Sequence, residues 1–333
     1  MKSNNLKDST PHYSLCEFCG SDNFIFICSR DNESKVANCV NCGLVFINPL
    51  PDQNHLNLSN KTSNQNIQSE HFGAFLKILQ NEHKGLDTQE KNSIKKIQLI
   101  EARKSLKSRY KKRLKVINRF SIHNGKLLDL GCGEGHFLKY ASSQEWDVNG
   151  IDLKVENVEF AKKILEIRNI QCTSLGQALL PEKTFDVVTL YDLIEHLAHP
   201  FSELKKIHKL LRPGGLVVIS TPNVKNSFFM KELWKGYKVK DHIFFFSKKT
   251  LTQMLQQAGF KVIFSKTENA KKGLLNIPEK IRIKPKSLLG RFWYSVKRDL
   301  RNTFNPINYI GPLFSICGYG FNLIIIARKH DKH

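Results

Sequence analysis

One short segment, Asp129-Leu-Gly131-Cys-Gly133-Glu-Gly135, constrains the fold more than any other part of the chain. Apolar residues lead into Asp129 and an amphipathic stretch follows Gly135, which predicts a buried strand, a tight turn and the start of a helix. Glycine is favoured where the backbone adopts a positive φ or lies directly against a ligand. The spacing differs from the Gly-x-Gly-x-x-Gly of dinucleotide-binding turns. The loop alone therefore indicates a nucleotide-like ligand, and its meaning depends on the segments that follow.

Three later segments continue the alternation of strands and helices. Residues 146–152 form a short strand that ends in Asp152, and an acid at this place in a doubly wound sheet can bind ribose hydroxyls. Residues 185–192 predict an apolar strand. Residues 210–222 carry an Arg-Pro-Gly-Gly turn followed by another apolar strand. Strands that alternate with helices predict an α/β domain.

The order and spacing of these segments resemble the class I S-adenosylmethionine (SAM) methyltransferases over about residues 115–268, with a last strand near 321–329. The resemblance implies a Rossmann-like sheet of seven strands in the order 3-2-1-4-5-7-6, with an antiparallel seventh strand and helices on both faces. It also implies SAM as cofactor, with Asp129 orienting the loop, Asp152 on the ribose and Leu153 beside the adenine. The implied cofactor-binding set is Asp129, Gly131, Cys132, Gly133, Gly135, Asp152, Leu153, Gln177, Ala178 and Tyr191.

The chain departs from its relatives at the adenine contact. Many relatives place an acid where this chain has Leu175-Gly-Gln177-Ala178. The side chain of Gln177 or the backbone of Ala178 is the expected substitute.

The segment Tyr191-Asp192-Leu-Ile-Glu195-His196 leaves the fourth strand at the carboxyl edge, where the methyl acceptor is expected. An alcohol or phenol acceptor must lose a proton, so His196 is a candidate general base, and Glu195 and His242 are further catalytic candidates. A second interpretation places a divalent cation such as Mg²⁺ among Asp192, Glu195, His196 and His242. This set resembles the ubiquinone-pathway O-methyltransferases and the small-RNA 2′-O-methyltransferases. A third interpretation gives Glu195 and His196 only a structural role, and the residues leave all three open.

Four cysteines near the N-terminus form two C-x₂-C pairs, Cys16 with Cys19 and Cys39 with Cys42. Each pair is followed by glycine, and the intervening residues suit a small hairpin. This spacing predicts a zinc ribbon with four thiolates around a tetrahedral ion. Because four thiolates complete the coordination shell, the expected zinc is structural. A ribbon ahead of this domain resembles bacterial methyltransferases that act on sugars or other secondary metabolites.

The formal net charge of +22 indicates an anionic partner surface without choosing among nucleic acid, lipid and glycan. The leading hypothesis is therefore SAM-dependent methylation of an oxygen on a small-molecule, glycan or lipid-linked acceptor. One alternative is RNA 2′-O-methylation with a divalent metal, which is weakened because no recognised RNA-binding module is present. The other alternative is a SAM-binding protein without turnover.

The predicted organisation is a disordered tail (1–12), a zinc ribbon (13–51), a linker and helical segment (52–119) and a methyltransferase domain (120–333) with an insertion at 269–320. The N-terminal residues lack the layout of a signal peptide, and the eight cysteines suit a reducing compartment. These features predict a cytoplasmic location, with peripheral contact at the inner membrane face as an added option.

Overall fold

The computed structural model describes residues 13–31, 34–51, 107–121, 124–229, 234–238, 241–268 and 315–330. The predicted tail, residues 52–106 of the linker and residues 269–314 of the insertion lie outside these ranges. The predictions for those segments stay predictions.

The N-terminal module is a small antiparallel sheet. Its strands are β1 (Phe24–Ser29), β2 (Lys35–Cys39) and β3 (Val45–Asn48), which pair in sequence order. All four residues of β3 are buried, although the module is too short to enclose a core of its own. The strand must therefore be covered by other parts of the chain.

A seven-stranded sheet forms the centre of the molecule. Its strands are β4 (Lys126–Leu130), β5 (Asp147–Asp152), β6 (Ile170–Cys172), β7 (Phe185–Tyr191), β8 (Leu211–Pro222), β10 (Phe260–Glu268) and β11 (Asn322–Lys329), and the short β9 (Phe244–Phe245) lies in the other sheet. The order is β10-β11-β8-β7-β4-β5-β6, with β11 antiparallel to both of its neighbours. The predicted Rossmann-like α/β sheet and its strand order are confirmed.

Helices cover both faces of this sheet. They are α1 (residues 107–118), α2 (His136–Ser142), α3 (Val155–Lys163), α4 (Pro200–Leu210) and α5 (Lys248–Gln257). Residues of α1, α2 and α3 share one apolar core, whereas α4 and α5 share the other. Central strands such as β7 are buried along nearly their whole length and are mostly apolar, because both of their faces are covered. No helix in the described part of the chain is long and apolar enough to cross a membrane.

A strand pair that the sequence did not predict joins the N-terminal module to the central domain. Strand β9 pairs antiparallel with β3, which extends the N-terminal module to a four-stranded sheet, β1-β2-β3-β9. Phe18 of the module also packs edge-on against Phe201 of α4, with ring centroids 5.5 Å apart. The module and the central domain therefore share one apolar core.

Candidate functional site

The glycine loop connects β4 to α2 and has the backbone that its sequence predicts. Gly131, Gly133 and Gly135 have φ of 65°, 55° and 77°, a region that residues with a Cβ rarely adopt. A Cβ added to Gly133 would meet no atom within 4 Å, whereas one on Gly135 would lie 2.8 Å from Ile167 Cδ1. Gly133 thus lines open space, and Gly135 allows α2 to pack closely on its neighbours.

Asp152 lies at the end of β5 and holds the glycine loop. Its Oδ2 accepts a hydrogen bond of 2.8 Å from the Gly133 amide, and its Oδ1 accepts bonds from the Lys154 amide and the Asn157 side chain. A carboxylate has about four lone-pair positions, so capacity for a further donor remains. Leu153, the next residue, is half exposed and adjoins this carboxylate.

Asp129 and Cys132 turn their side chains into the protein. Asp129 is buried and its Oδ1 accepts a hydrogen bond of 2.5 Å from Thr189 Oγ1, so it links β4 to β7 below the loop. Desolvation raises the pKa of Asp129 to about 7. The Cys132 sulfur packs against the backbone at Gly150. Only the backbone of Cys132 could face a ligand in the loop.

Gln177 and Ala178 lie in the turn after β6. Both backbone amides donate to the Ser174 carbonyl, at 3.1 and 2.9 Å. The Gln177 side chain is exposed and its Oε1 lies 3.3 Å from Ser174 Oγ. With the Ala178 amide already bonded, the Gln177 Oε1 and the backbone carbonyls of the turn are the groups that could accept from an adenine amino group.

Arg113 on α1 is a site residue that sequence reasoning missed. Its guanidinium carbon lies 3.8 Å from the centroid of the Tyr191 ring, and Nη2 lies 3.7 Å from Asp192 Oδ2. Its positive charge also opposes the rise in the pKa of Asp129. Arg113 belongs to a stretch with many lysines and arginines, so its residue type gave no signal. Its position shortly before β4, the first strand of the central sheet, was the only feature in the sequence that could have distinguished it.

His196 lies in a short 3₁₀ helix, Ile194–His196, directly after β7. Its Nδ1 is 2.7 Å from the Asp241 carbonyl oxygen. Because a carbonyl can only accept, Nδ1 carries the proton and Nε2 keeps a free lone pair. Burial lowers the pKa of His196, so the ring is neutral at physiological pH.

Glu195 is 1% exposed and reaches the same region. Its Oε2 accepts a hydrogen bond of 2.9 Å from Thr221 Oγ1, while Oε1 lies 4.0 Å from His196 Nε2 and has no hydrogen-bond partner among the described residues. Desolvation, followed by the nearby charge of Asp192, raises the pKa of Glu195. The carboxyl is therefore a buried group with unused bonding capacity.

His242 completes this cluster from a distant part of the chain. Its ring centroid is 4.9 Å from that of His196, and within the described ranges its Nδ1 has no hydrogen-bond partner. Desolvation, with further contributions from His196 and Arg30, lowers the pKa of His242 to about 3. The Arg30 Nη1 donates a hydrogen bond of 2.7 Å to the His242 carbonyl oxygen.

Three of the four residues predicted as an alternative metal site come together. One ligand atom each from Glu195, His196 and His242 lie within 4.8 Å of one another. The fourth, Asp192, is not in this group, and its largely exposed carboxylate faces Arg113. The structure thus offers three ligand atoms where the sequence suggested four.

The four N-terminal cysteines also converge. Their sulfurs lie within 4.8 Å of one another, with Cys16 to Cys42 at 3.6 Å and Cys19 to Cys39 at 3.5 Å. A tetrahedral zinc ion with bonds of about 2.3 Å needs sulfurs about 3.8 Å apart. The residues therefore fit a zinc ion in number, type and spacing.

The chain was compared with protein-family models, with curated proteins and with solved structures. A family model described as a methyltransferase domain matches residues 97–264. The ubiquinone biosynthesis O-methyltransferase of Psychrobacter arcticus is 33% identical over 152 residues, which cover 40% of this chain and 58% of that protein. Phosphoethanolamine N-methyltransferase 3 of Arabidopsis thaliana is 32% identical over 155 residues, which cover 42% of this chain and 29% of that protein. The chain thus spans less than two thirds of either relative.

A SAM-dependent methyltransferase structure from Archaeoglobus fulgidus is 23% identical, with a TM-score of 0.46, and the match covers 68% of this chain and 94% of that one.

Proposed function

The chain belongs to the methyltransferase domain family, and on that premise we propose that it transfers a methyl group from SAM to an oxygen atom of its acceptor. The observation that carries the choice of oxygen is the neutral His196 imidazole beside Glu195. His196 follows strand β7, and the glycine loop follows the adjacent parallel strand β4. A base and a cofactor loop at one sheet edge suit an acceptor that must lose a proton.

The residues around the glycine loop fit the cofactor. SAM, when bound, supplies a methyl group on a sulfonium that is already a good leaving group. The protein must therefore mainly position the reactants. Gly133 leaves room for close backbone approach, Asp152 retains capacity for the ribose hydroxyls, and Arg113 supplies a cation for the carboxylate of the amino-acid moiety.

His196 is the proposed base. The bond from Nδ1 to the Asp241 carbonyl fixes the ring and leaves Nε2 as the proton acceptor. A proton taken from an alcohol or phenol would then lie on Nε2, 4.0 Å from Glu195 Oε1. Burial raises the pKa of Glu195 to about 8, so this carboxyl starts with its proton, and the imidazolium would favour its ionisation. Oε1, which lacks a partner among the described residues, could then accept from Nε2.

A metal-dependent O-methyltransferase, including one that acts on RNA 2′-hydroxyls, is the second candidate. It is favoured by the approach of Glu195, His196 and His242 to within 4.8 Å. One carboxylate with two imidazoles suits a transition metal ion better than Mg²⁺, which prefers oxygen ligands. In this version His196 is a metal ligand rather than the base.

The proposed acceptor class is supported by the charge of the chain and by its relatives, and not by the geometry of the site. A net charge of +22 attracts anionic partners, and both named relatives act on acceptors outside nucleic acid. We therefore favour a small-molecule or glycan acceptor, or a lipid-linked one reached at an anionic membrane surface, in the cytoplasm. The four cysteines are proposed to hold one structural zinc ion.

Transfer of tritiated methyl from SAM into cell extract would test the proposal. The extract is separated into lipid, RNA and small-molecule or glycan fractions, and label in the RNA fraction alone would contradict the favoured acceptor. His196→Ala should lower transfer by about 10²- to 10⁴-fold, the usual contribution of a general base, while S-adenosylhomocysteine affinity stays unchanged by calorimetry. His199→Ala, an exposed histidine of the same loop, is the matched control. Undiminished transfer by His196→Ala would refute the proposed base.

A metal requirement is tested separately with the same transfer assay. If the metal-dependent version holds, mild chelation that leaves the cysteine-bound ion in place should abolish transfer, and added Mn²⁺ or Zn²⁺ should restore it. Transfer that is unchanged by such chelation would exclude this version.

A further inference from the structure

We propose that the N-terminal module is a built-in part of the active site: Arg30 and strand β3 position the segment that carries His242. The catalytic meaning of this inference rests on the proposed function. Its structural core does not, because the position of the segment can be measured without any acceptor.

Three successive carbonyl groups in this segment are bound by three different elements. The Asp241 oxygen accepts from His196 Nδ1 at 2.7 Å, and the His242 oxygen accepts from Arg30 Nη1 at 2.7 Å. The Ile243 oxygen accepts from the Ile47 amide of β3 at 2.9 Å. The backbone on both sides of His242 is therefore fixed, with two of the three bonds supplied by the N-terminal module.

The backbone of Ile243 connects the N-terminal module directly to Glu195. Its carbonyl is bonded to Ile47, and its amide donates to the Glu195 carbonyl at 2.9 Å. The β3–β9 ladder continues this connection through Val45 opposite Phe245 and Phe46 opposite Phe244. A displacement of β3 would therefore be transmitted to both Glu195 and His242.

Arg30 is placed for this role by its surroundings. It follows β1 at the start of the hairpin turn, and it is partly buried, which disfavours a charge that is not compensated. The acids Asp31 and Asp241 compensate it electrostatically. A hydrogen bond from a charged donor is roughly twice as strong as one between neutral groups.

This arrangement differs from that of a separate docking module. A tethered module would meet the domain through side chains, whereas here the two share a β-ladder and an apolar core that includes Cys16, Phe46 and Phe244. A metal ion bound by the four cysteines would stabilise β2 and β3, and through them the position of His242. The glycine loop makes none of these backbone contacts among the described residues, so cofactor binding should be independent of the module.

Amide hydrogen exchange of the full-length, metal-loaded protein tests the inference. Arg30→Gln should accelerate exchange in residues 241–247 by about 10- to 100-fold, since each 1.4 kcal/mol corresponds to a factor of ten. Exchange in residues 126–135 and affinity for S-adenosylhomocysteine should stay at wild-type values. Arg30→Lys, which keeps a cation, should lie between the two. Lys35→Gln is the matched control, because Lys35 belongs to the same module but lies over the Tyr13 and Phe26 rings.

Methyl transfer supplies the second readout. In Arg30→Gln the kcat should fall while the KM for SAM is unchanged, and Arg30→Lys should recover part of the loss. Chelation of the wild-type protein should open β1–β3 and residues 241–247 together and leave residues 126–135 protected.

Each outcome separates this inference from the proposed function. Wild-type exchange of residues 241–247 in Arg30→Gln, or in protein whose module has opened after chelation, would overturn the inference whatever the enzyme does. Accelerated exchange with unchanged kcat would overturn the positioning role. Accelerated exchange together with full activity of His196→Ala would leave the structural inference standing and refute the base. Should Arg30→Gln fail to fold, Arg30→Lys and the chelated protein decide the matter.

Discussion

Replacing the two glycines Gly133 and Gly135 by alanine should separate cofactor binding from folding within a single loop. Both glycines have positive φ, at 55° and 77°, so each alanine costs about 1–2 kcal/mol from backbone strain. At Gly133 the new methyl group meets no atom within 4 Å, so little is added to this cost. The expected loss of unfolding free energy for Gly133→Ala is about 1–2 kcal/mol.

At Gly135 the methyl group would lie 2.8 Å from Ile167 Cδ1 and 3.1 Å from Ala161 Cβ. Overpacking of this kind costs about 1–3 kcal/mol, so the total for Gly135→Ala is roughly 2–5 kcal/mol. For cofactor affinity we expect the reverse order, with the larger loss in Gly133→Ala, because the open side of Gly133 is the side left for the cofactor. Gly133→Ala should weaken S-adenosylhomocysteine binding at least about tenfold, which corresponds to about 1.4 kcal/mol.

Urea denaturation measures the stability of both variants, and calorimetric titration with S-adenosylhomocysteine measures affinity in the fraction that remains folded. Wild-type affinity in Gly133→Ala would refute the assignment of this loop to the cofactor. Equal stability losses in the two variants would refute the reasoning from the contacts of Gly135.

Three further outcomes are expected. Thr221→Val removes the only hydrogen bond that Glu195 Oε2 makes among the described side chains and should cost about 1–3 kcal/mol in urea denaturation, whereas Thr221→Ser should retain most of it. Burial raises the pKa of Asp129 to about 7, so the folded state keeps a proton that the unfolded state releases above about pH 4. As the pH rises from 4 to 7, the unfolding free energy of the wild type should therefore fall relative to that of Asp129→Asn, by on the order of 4 kcal/mol. Parallel plots of unfolding free energy against pH for the two proteins would contradict this. Metal analysis should find one zinc per chain that is lost in Cys39→Ser, and a metal-free wild-type protein with an intact module would exclude a structural zinc site.

The central sheet and the backbone of the glycine loop could be predicted because their determinants are local. Gly131 and Gly133 are needed for a turn formed within a few residues, and β7 is recognisable because burial on both faces requires a mostly apolar run. Ser247 caps the start of α5 in the same local way, since its hydroxyl accepts from the Thr250 amide at 3.1 Å. Each of these features depends on neighbours in sequence.

The partners of Glu195, His196 and His242 could not be predicted because they are distant in sequence. Arg30 and His242 are 212 residues apart, and no periodicity links them. Thr221 satisfies Glu195 only because β8 lies beside β7 in the sheet. Sequence identified Glu195, His196 and His242 as chemically capable residues, whereas their mutual geometry and the loss of Asp192 from the set depend on tertiary packing.

The pairing of β3 with β9 has a consequence for the order of events during protein synthesis. Strand β3 leaves the ribosome about 200 residues before its partner, which at about 5–20 residues per second is a delay of roughly 10–40 seconds. During that interval the apolar edge formed by Val45, Phe46 and Ile47 has no strand beside it. Such an edge can pair with another nascent chain, so slower translation between residues 48 and 244 should lower the yield of soluble protein. Residues 13–51 expressed alone should aggregate, because β3 then never meets β9.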